Sequence, residues 1–253
     1  MSLTRAEKLL KELGITDPDE IDLEAIAYYV GARICYRALD GCDARIVGYG
    51  DRAIITVDSK SSFKRQRFSI GHELGHWEHH RGERLVCRVE GRQSAFATER
   101  RADSYAADLI MPYYLFRPLL PSESKLNFTV VGTLADTFQT SQTATAIRLV
   151  ESDHSPALLV CHGAQKRKWF VKAPSVPEHW IPKASTDAAS SALEVLYGQR
   201  NGESMPRKIK AEAWFDCWEA RGHDIYEQTL RVGQEEILTL LLLTDRRMLE
   251  KRK

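Results

Sequence analysis

The sequence predicts an α+β fold in more than one structural part, because segments with helical periodicity and segments with strand composition occupy separate blocks of the chain. Apolar residues recur at helical spacing at the start of the chain and in two long segments between residues 63 and 112. Runs rich in β-branched and aromatic residues lie before those segments and again beyond residue 155. A chain of 253 residues with 43% apolar composition can bury one large core or two modest ones.

The N-terminal part is predicted to contain two helices followed by two strands. Helical spacing runs from Leu3 to Leu13, and Gly14 ends this first helix. Asp17 is a suitable N-cap for a second helix, which Gly31 closes. The segments ARICYRAL and RAIITVDS then have strand composition, and the turn-rich segment DGCDARIVGYGD separates them.

The middle of the chain is predicted to be mainly helical. A helix over residues 63–80 precedes a loop at 81–97, and a second helix ends at Pro112 because proline cannot continue it. A third helix is predicted over residues 130–150.

Beyond the Asp-His-Ser-Pro break at residues 153–156 the pattern becomes mixed. Four strand-like segments accompany a helix near 186–198 and a short helix that would pack Trp214 and Trp218 on one face. The apolar run ILTLLLLT is too short to cross a bilayer and is interpreted as a buried strand. We therefore divide the chain into three predicted parts, which are residues 1–125, a helical segment at 126–152 and a C-terminal α+β domain at 153–253.

Composition narrows the class of protein. Lys and Arg total 36 against 35 Asp and Glu, so the overall charge indicates neither a nucleic-acid nor a membrane-surface protein. The five cysteines form no CxxC pair and no even-numbered framework, which favours a reducing cytoplasm. The charged N-terminal segment does not have the pattern of a signal peptide. Nothing in the sequence indicates an oligomeric state.

The pattern H-E-x-x-H indicates a metal site. On a helix, His72 and His76 lie one turn apart on the same face and can bind one ion. Glu73 lies about a quarter-turn from His72, which is a suitable position for a general base that does not bind the metal. Gly71 and Gly75 weaken the helix beside the histidines, so we expect another element to approach closely there.

A catalytic zinc site needs a third protein ligand, and the next helix offers one. Five residues at spacings of three and four fall on a single stripe of that helix: Glu99, Ala102, Asp103, Ala106 and Ile110. Two carboxylates on a face that packs inward need a cation or strong hydrogen bonds. We predict that Glu99 is the third ligand and that Asp103 orients a ligand histidine through its other ring nitrogen.

Other assignments stay open at this point. Glu83, Glu90 and either His79 or His80 are rival third ligands. In a purely structural interpretation, Glu99 is a first-turn acid favoured by the helix dipole and Asp103 pairs on the surface with Arg100 or Arg101. Four side chains could donate to an oxyanion, and the sequence does not choose among Tyr105, Tyr113, His154 and His162.

The segments RQRFSIGHELGHWEHH and ERRADSYAADLIMP, preceded by RAIITVDS, resemble the ImmA/IrrE family of zinc metallopeptidases over about residues 20 to 112. The resemblance implies a zincin-like core, two zinc ligands at His72 and His76, a catalytic Glu73 and a third ligand at Glu99. It also implies one zinc ion per chain. The helix after Met-Pro resembles a helix-turn-helix-like segment of the family, although we interpret it as a packing helix, and the C-terminal domain resembles sensory domains of some members.

The function that this resemblance implies is a cytoplasmic zinc endopeptidase whose substrate is a helix-turn-helix transcriptional repressor in a stress-response or mobile-element switch. The strand at residues 53–57 would form the edge of the cleft and hold an extended substrate. The alternative is a metal-bound regulator that binds a repressor or DNA without cleavage. Glu73 favours the enzyme, because a regulatory metal needs no base. Direct nucleic-acid binding is not favoured, since the basic clusters at 165–172, 206–210 and 245–253 resemble solvated faces.

Overall fold

The computed structural model describes residues 2–81, 85–86, 92–122, 126–198 and 202–249, with only the backbone for 85–86 and 92–96. These residues form an α+β structure of two compact units. The first unit contains Met1–Leu119 and Ala135–Ser141, and the second contains Leu120–Leu134 and Gln142–Lys253. The residues of the predicted helical segment 126–152 are therefore divided between the two units, and the three-part division stays a prediction. No helix among the described residues has the length and apolar character needed to cross a membrane.

The first unit packs helices against a four-stranded sheet. Its α-helices and strands follow the order α1 (Arg5–Glu12), α2 (Leu23–Tyr29), β1 (Ala32–Arg37), β2 (Ala44–Tyr49), β3 (Arg52–Asp58), α3 (Phe63–His80), β4 (Leu85–Val86), α4 (Arg92–Ile110) and α5 (Tyr113–Phe116). The strand order is β1-β3-β2-β4, with β1 parallel to β3 and the other pairs antiparallel. Asp17 caps a 3-10 turn at Pro18–Glu20, and α2 itself is capped by Asp22.

Strand β2 corrects two expectations. Its residues lie inside the segment that was expected to be only a turn, because the glycines and aspartates there suggested no strand. Since β3 lies between β1 and β2, it is paired on both sides and cannot form the edge of a cleft. Strand β4 pairs only with Val47 and Gly48, so the Ala44–Ile46 part of β2 has its second edge free of described strands.

Helices α3 and α4 approach each other closely, as the two glycines predicted. A Cβ atom on Gly75 would lie 2.8 Å from the Cα atom of Ala102, and one on Gly71 would lie 3.2 Å from the Cα atom of Ala106. The other side of α3 meets the sheet, where a Cβ on Gly48 would lie 2.5 Å from the Trp77 ring. Alanine and glycine therefore set the spacing between the two helices.

The helix predicted over 130–150 is two helices, α6 (Phe128–Thr137) and α7 (Gln142–Glu151). The chain turns between them at Gln139, whose φ of 54° lies in the left-handed region. The amide of Thr140 donates to the carbonyl oxygen of Ala135 at 2.8 Å and closes the turn. Apolar periodicity continues through this break, which is why the sequence suggested one helix.

The second unit contains an antiparallel five-stranded sheet in the order β6-β5-β9-β8-β7. Its elements after α7 are β5 (Ala157–His162), β6 (Arg167–Lys172), α8 (Ser191–Tyr197), β7 (Arg207–Lys210), β8 (Asp224–Arg231) and β9 (Ile237–Leu242). All six residues of β9 are buried, as expected for the apolar run. Trp214 and Trp218 do not share a helix face, because they lie at separate 3-10 turns and are 2% and 63% exposed.

Candidate metal centre

Helix α3 presents the H-E-x-x-H residues at the inner end of a cleft in the first unit. His76 and Glu73 are buried, and His72 is partly exposed. The Nε2 atoms of His72 and His76 point toward each other at 3.0 Å. The one-turn spacing of the helix therefore brings the two imidazoles to a common point.

Helix α4 brings a carboxylate to that same point. Glu99 Oε2 lies 3.2 Å from His72 Nε2, and Glu99 Oε1 lies 3.4 Å from His76 Nε2. Among the residues with described side chains, His72, His76 and Glu99 form the cluster whose ligand atoms all lie within 4.8 Å of one another. The close contact at Gly71 and Gly75 makes this possible, because it holds the Glu99 turn of α4 over the histidines.

The chemistry of these three groups fits a divalent cation. Asp103 Oδ1 lies 2.8 Å from His72 Nδ1, so a neutral His72 carries its proton on Nδ1 and keeps a lone pair on Nε2. That lone pair faces a carboxylate oxygen of Glu99, and two acceptors this close repel unless a proton or a metal cation lies between them. Zinc bonds of about 2.0–2.2 Å in tetrahedral geometry separate ligand atoms by roughly 3.3–3.5 Å, close to the separations found here.

Glu73 lies beside the cluster without joining it. Its side chain is buried, and its Oε2 atom has no hydrogen-bond partner among the described residues. Burial raises the pKa of Glu73 to about 7, with the neighbouring His72 lowering the pKa and the charge of Glu99 raising it. A buried carboxyl with a free oxygen next to a metal site has the properties of a general acid and base.

The cleft in front of these residues has walls that the sequence analysis did not identify. Asp43 and Ala44 at the start of β2 face Arg65 and Phe68 on α3. Arg65 donates from Nε and Nη2 to Asp43 Oδ2 at 3.0 and 2.6 Å. These residues were missed because β2 was interpreted as a turn, and only the strand places Asp43 next to the helix.

The structure also bears on the competing assignments. His79 Nδ1 donates to the carbonyl oxygen of Gly75 at 2.7 Å, and neither His79 nor His80 belongs to the cluster. Asp103 contacts His72, whereas the purely structural interpretation expected it to pair with Arg100 or Arg101 on the surface. The side chains of Glu83 and Glu90 lie outside the described residues.

None of the four proposed oxyanion donors lines the described walls of the cleft. Tyr105 is buried, and burial raises the pKa of its hydroxyl well above the usual value. Tyr113 stacks beneath Arg117, with the guanidinium 4.6 Å from the ring centre. His154 and His162 belong to the second unit. The oxyanion donor therefore stays unassigned.

Comparison with known proteins agrees with this arrangement. Residues 27–150 match the model of the Peptidase_M78 family, described as the IrrE N-terminal-like domain. The fold is similar to that of a Mycobacterium tuberculosis transcriptional regulator, with a TM-score of 0.64 and 12% identity over 96% of this chain and 77% of that chain. No curated protein matches the sequence. The matched segment contains every residue of the cluster, and this part of the chain belongs to the Peptidase_M78 family as an IrrE N-terminal-like domain, in agreement with the resemblance to the ImmA/IrrE family.

Proposed function

We propose that this protein is a zinc-dependent endopeptidase. The observation that carries the proposal is the convergence of His72, His76 and Glu99 beside the buried carboxyl of Glu73, whose Oε2 atom has no hydrogen-bond partner in the described part of the chain. A metal site with a regulatory role alone needs no carboxyl group beside its ligands, and burying one without hydrogen bonds costs free energy. The family match supports a peptidase of this type.

The residues divide the work between metal binding and proton transfer. When bound, one zinc ion per chain would polarise the scissile carbonyl and lower the pKa of water. Glu73, which lines the cleft, would accept a proton from the attacking water and return it to the leaving amine. Asp103 keeps the proton of His72 on Nδ1, so that Nε2 remains free to bind the ion.

The free edge of β2 offers a place for the substrate backbone. Ala44 lines the cleft, and Ala44–Ile46 has no described strand on the side away from β3. An extended peptide can add to such an edge by backbone hydrogen bonds. We therefore propose that an extended substrate adds to the edge of β2 and not, as the sequence suggested, to β3.

The proposed substrate is a helix-turn-helix transcriptional repressor, and its cleavage would relieve repression in a stress response or mobile element. This part of the proposal rests on the likeness to the ImmA/IrrE family. The competing function is a metal-bound regulator that binds its partner without cutting. The two functions differ in whether Glu73 is needed.

The test is intact-mass spectrometry of the repressor encoded nearest this gene after incubation with zinc-loaded protein. Two fragments whose masses sum to the parent plus one water are expected with the wild type and with Glu78→Gln, a matched change on the same helix away from the cleft. Glu73→Gln should bind zinc and leave the repressor intact. A repressor that stays uncut by the wild type yet binds it would favour the regulator.

A further inference from the structure

The sheet of the first unit has one covered face and one open face. Inward residues such as Ile46, Ile55 and Val57 are at most 1% exposed. The alternate residues of the same strands point the other way, because strand side chains alternate between the two faces. Val47, Ile54 and Tyr49 are 54%, 53% and 81% exposed on that open side.

Strand register places these apolar side chains together. Val47 pairs with Ile54, and Ile54 pairs with Arg33 on the adjoining strand, so the three form one row across the sheet. Two residues further along the strands, Tyr49 pairs with Arg52 on the same face. Directly paired residues share a face, and neighbouring strands lie about 5 Å apart.

Arginines surround this apolar centre. Arg52 lies beyond it on one side, Arg45 in the row on the other side, and Arg33 at its end. We call these three arginines, with Val47, Tyr49 and Ile54, the basic sheet face. All three arginines are exposed, and none of them has an ion pair with a described carboxylate. By contrast, Arg65 and Lys64 nearby are paired with Asp43 and Asp136.

The composition of the basic sheet face selects its partner. Protein interfaces are rich in arginine and tyrosine around an apolar centre, whereas lysine is depleted. The guanidinium fork pairs with carboxylates through two parallel hydrogen bonds. A single-stranded nucleic acid would need several aromatic platforms for its bases, and this face has only Tyr49 among its six residues.

We propose that the basic sheet face is a docking surface for a protein segment that carries Asp and Glu around an apolar stripe, such as an acidic amphipathic helix. The contact would pack the stripe on Val47 and Ile54 and pair the carboxylates with Arg33, Arg45 and Arg52. This inference does not depend on the proposed cleavage, because it uses neither the candidate metal ligands nor Glu73. Arg45 also belongs to the free edge of β2, but its side chain lies on the opposite face of the sheet from Ala44, which lines the cleft.

The probe is a fluorescein-labelled amphipathic peptide of about 18 residues, or five helical turns, with a leucine stripe flanked by glutamates. Binding is measured by anisotropy at about 50 and 300 mM salt. We expect Arg45→Ser/Arg52→Ser and, separately, Tyr49→Ser to weaken binding by about tenfold or more, with the arginine effect shrinking at high salt. The matched controls are Lys8→Ser/Lys166→Ser, which removes two exposed cations elsewhere, and Tyr28→Ser, which removes an exposed tyrosine elsewhere.

A footprint locates the contact. Cys35 lies on the open side of β1, and Cys42 is exposed in the loop after that strand. The peptide should slow alkylation of Cys35 several-fold and leave Cys42 unchanged, measured by peptide mass mapping.

Four results would overturn the proposal. The first is that the peptide does not bind, and the second is that its affinity stays the same in the variants or when its glutamates are replaced by glutamines. The third is that a single-stranded oligonucleotide binds more tightly than the peptide and depends on the arginines. The fourth is that the protein self-associates and Tyr49→Ser abolishes this association. The third would assign the face to nucleic acid and the fourth to a second copy of this chain.

Discussion

Asp103 contacts the ring nitrogen of His72 that points away from the proposed zinc, and this single contact sets the proton position on the ring. Asp103→Asn should weaken zinc binding by about 10- to 100-fold, because the amide cannot hold the proton on Nδ1 as strongly. Glu99→Gln should weaken it more, since it removes a charged ligand. A competition titration against a chelating dye measures both.

The control for these variants is Glu78→Gln, which lies on α3 outside the cluster and should leave zinc affinity unchanged. If Glu99→Gln binds zinc as tightly as the wild type, the third ligand is another group. Equal losses in Asp103→Asn and Glu99→Gln would instead indicate that Asp103 binds the ion directly.

At the scale of single residues, local spacing was enough to predict which residues the structure brings together at the candidate site. His72, Glu73 and His76 follow from helical spacing within one turn, and Glu99 and Asp103 follow from one stripe on the next helix. The partner of Arg65 could not be found in this way. Asp43 is 22 residues away and reaches Arg65 only because β2 turns back along β3.

Among the elements, the contact between α3 and α4 is the most sensitive to side-chain size. Gly75→Ala should destabilise the first unit by about 1–3 kcal/mol, because the added Cβ would meet the Ala102 backbone at 2.8 Å and outweigh a helix-propensity gain of about 1 kcal/mol. It should also weaken zinc binding, since the Glu99 turn must move. Urea unfolding and the dye titration measure these effects.

Gly132→Ala is the matched control, because it also replaces a helical glycine. Its added Cβ would meet only the end of the Gln142 side chain at 3.4 Å, which can move aside. We expect it to be neutral or to stabilise by up to about 1 kcal/mol. Similar effects of the two substitutions would show that the close helix contact is not the cause.

The buried Glu227 on β8 ties together several elements of the second unit. Its carboxylate accepts hydrogen bonds from Ser190 Oγ, the Ser191 amide, Trp214 Nε1 and Arg207 Nε at 2.7–2.8 Å. Burial favours a higher pKa, but these hydrogen bonds hold the pKa of Glu227 below its ordinary value of 4.5. Its ionised form therefore stabilises the folded unit.

This lowered pKa predicts the pH dependence of stability. The contribution of Glu227 is present above pH 4.5 and is lost as pH falls through the lower folded-state value. Glu227→Gln should cost about 2–3 kcal/mol near neutral pH, because one amide group must face donors, and the cost should shrink in acid. Chemical unfolding at several pH values checks this, with the exposed Glu194→Gln as control. A cost that does not vary with pH would contradict the assignment.

The elements that the sequence predicted are those with a regular pattern of apolar residues. Elements that form through strand pairing or a single backbone conformation were not predicted. Helices α3 and α4 and strand β9 have strong periodic or continuous apolar patterns, and the structure contains all three. Strand β2 carries glycines that suit a turn, yet Gly48 is needed because the Trp77 ring occupies the space of a side chain. The break at Gln139 depends on one left-handed residue inside a pattern that continues across it.

At the scale of the whole molecule, the candidate metal ligands are confined to one of two compact units. His72, His76 and Glu99 all belong to the first unit, and the five-stranded sheet of the second unit contains none of them. An ion that binds only the folded state stabilises it by RT ln(1 + [L]/Kd), which is about 4 kcal/mol at a thousandfold excess over Kd. Zinc binding should therefore raise the free energy of unfolding of the first unit.

Removal of zinc by a chelator should consequently accelerate amide hydrogen exchange in α3 and α4 more than in β5 and β9. Without the ion, His72 and His76 contact the Glu99 carboxylate through shared protons, which hold the two helices less tightly than metal–ligand bonds would. Exchange is followed by mass spectrometry with and without chelator, and Glu99→Gln serves as a variant in which the chelator should have little further effect. Equal acceleration in the two units would mean that zinc stabilises the chain as one cooperative structure, and no acceleration in α3 and α4 would argue against a metal at this cluster.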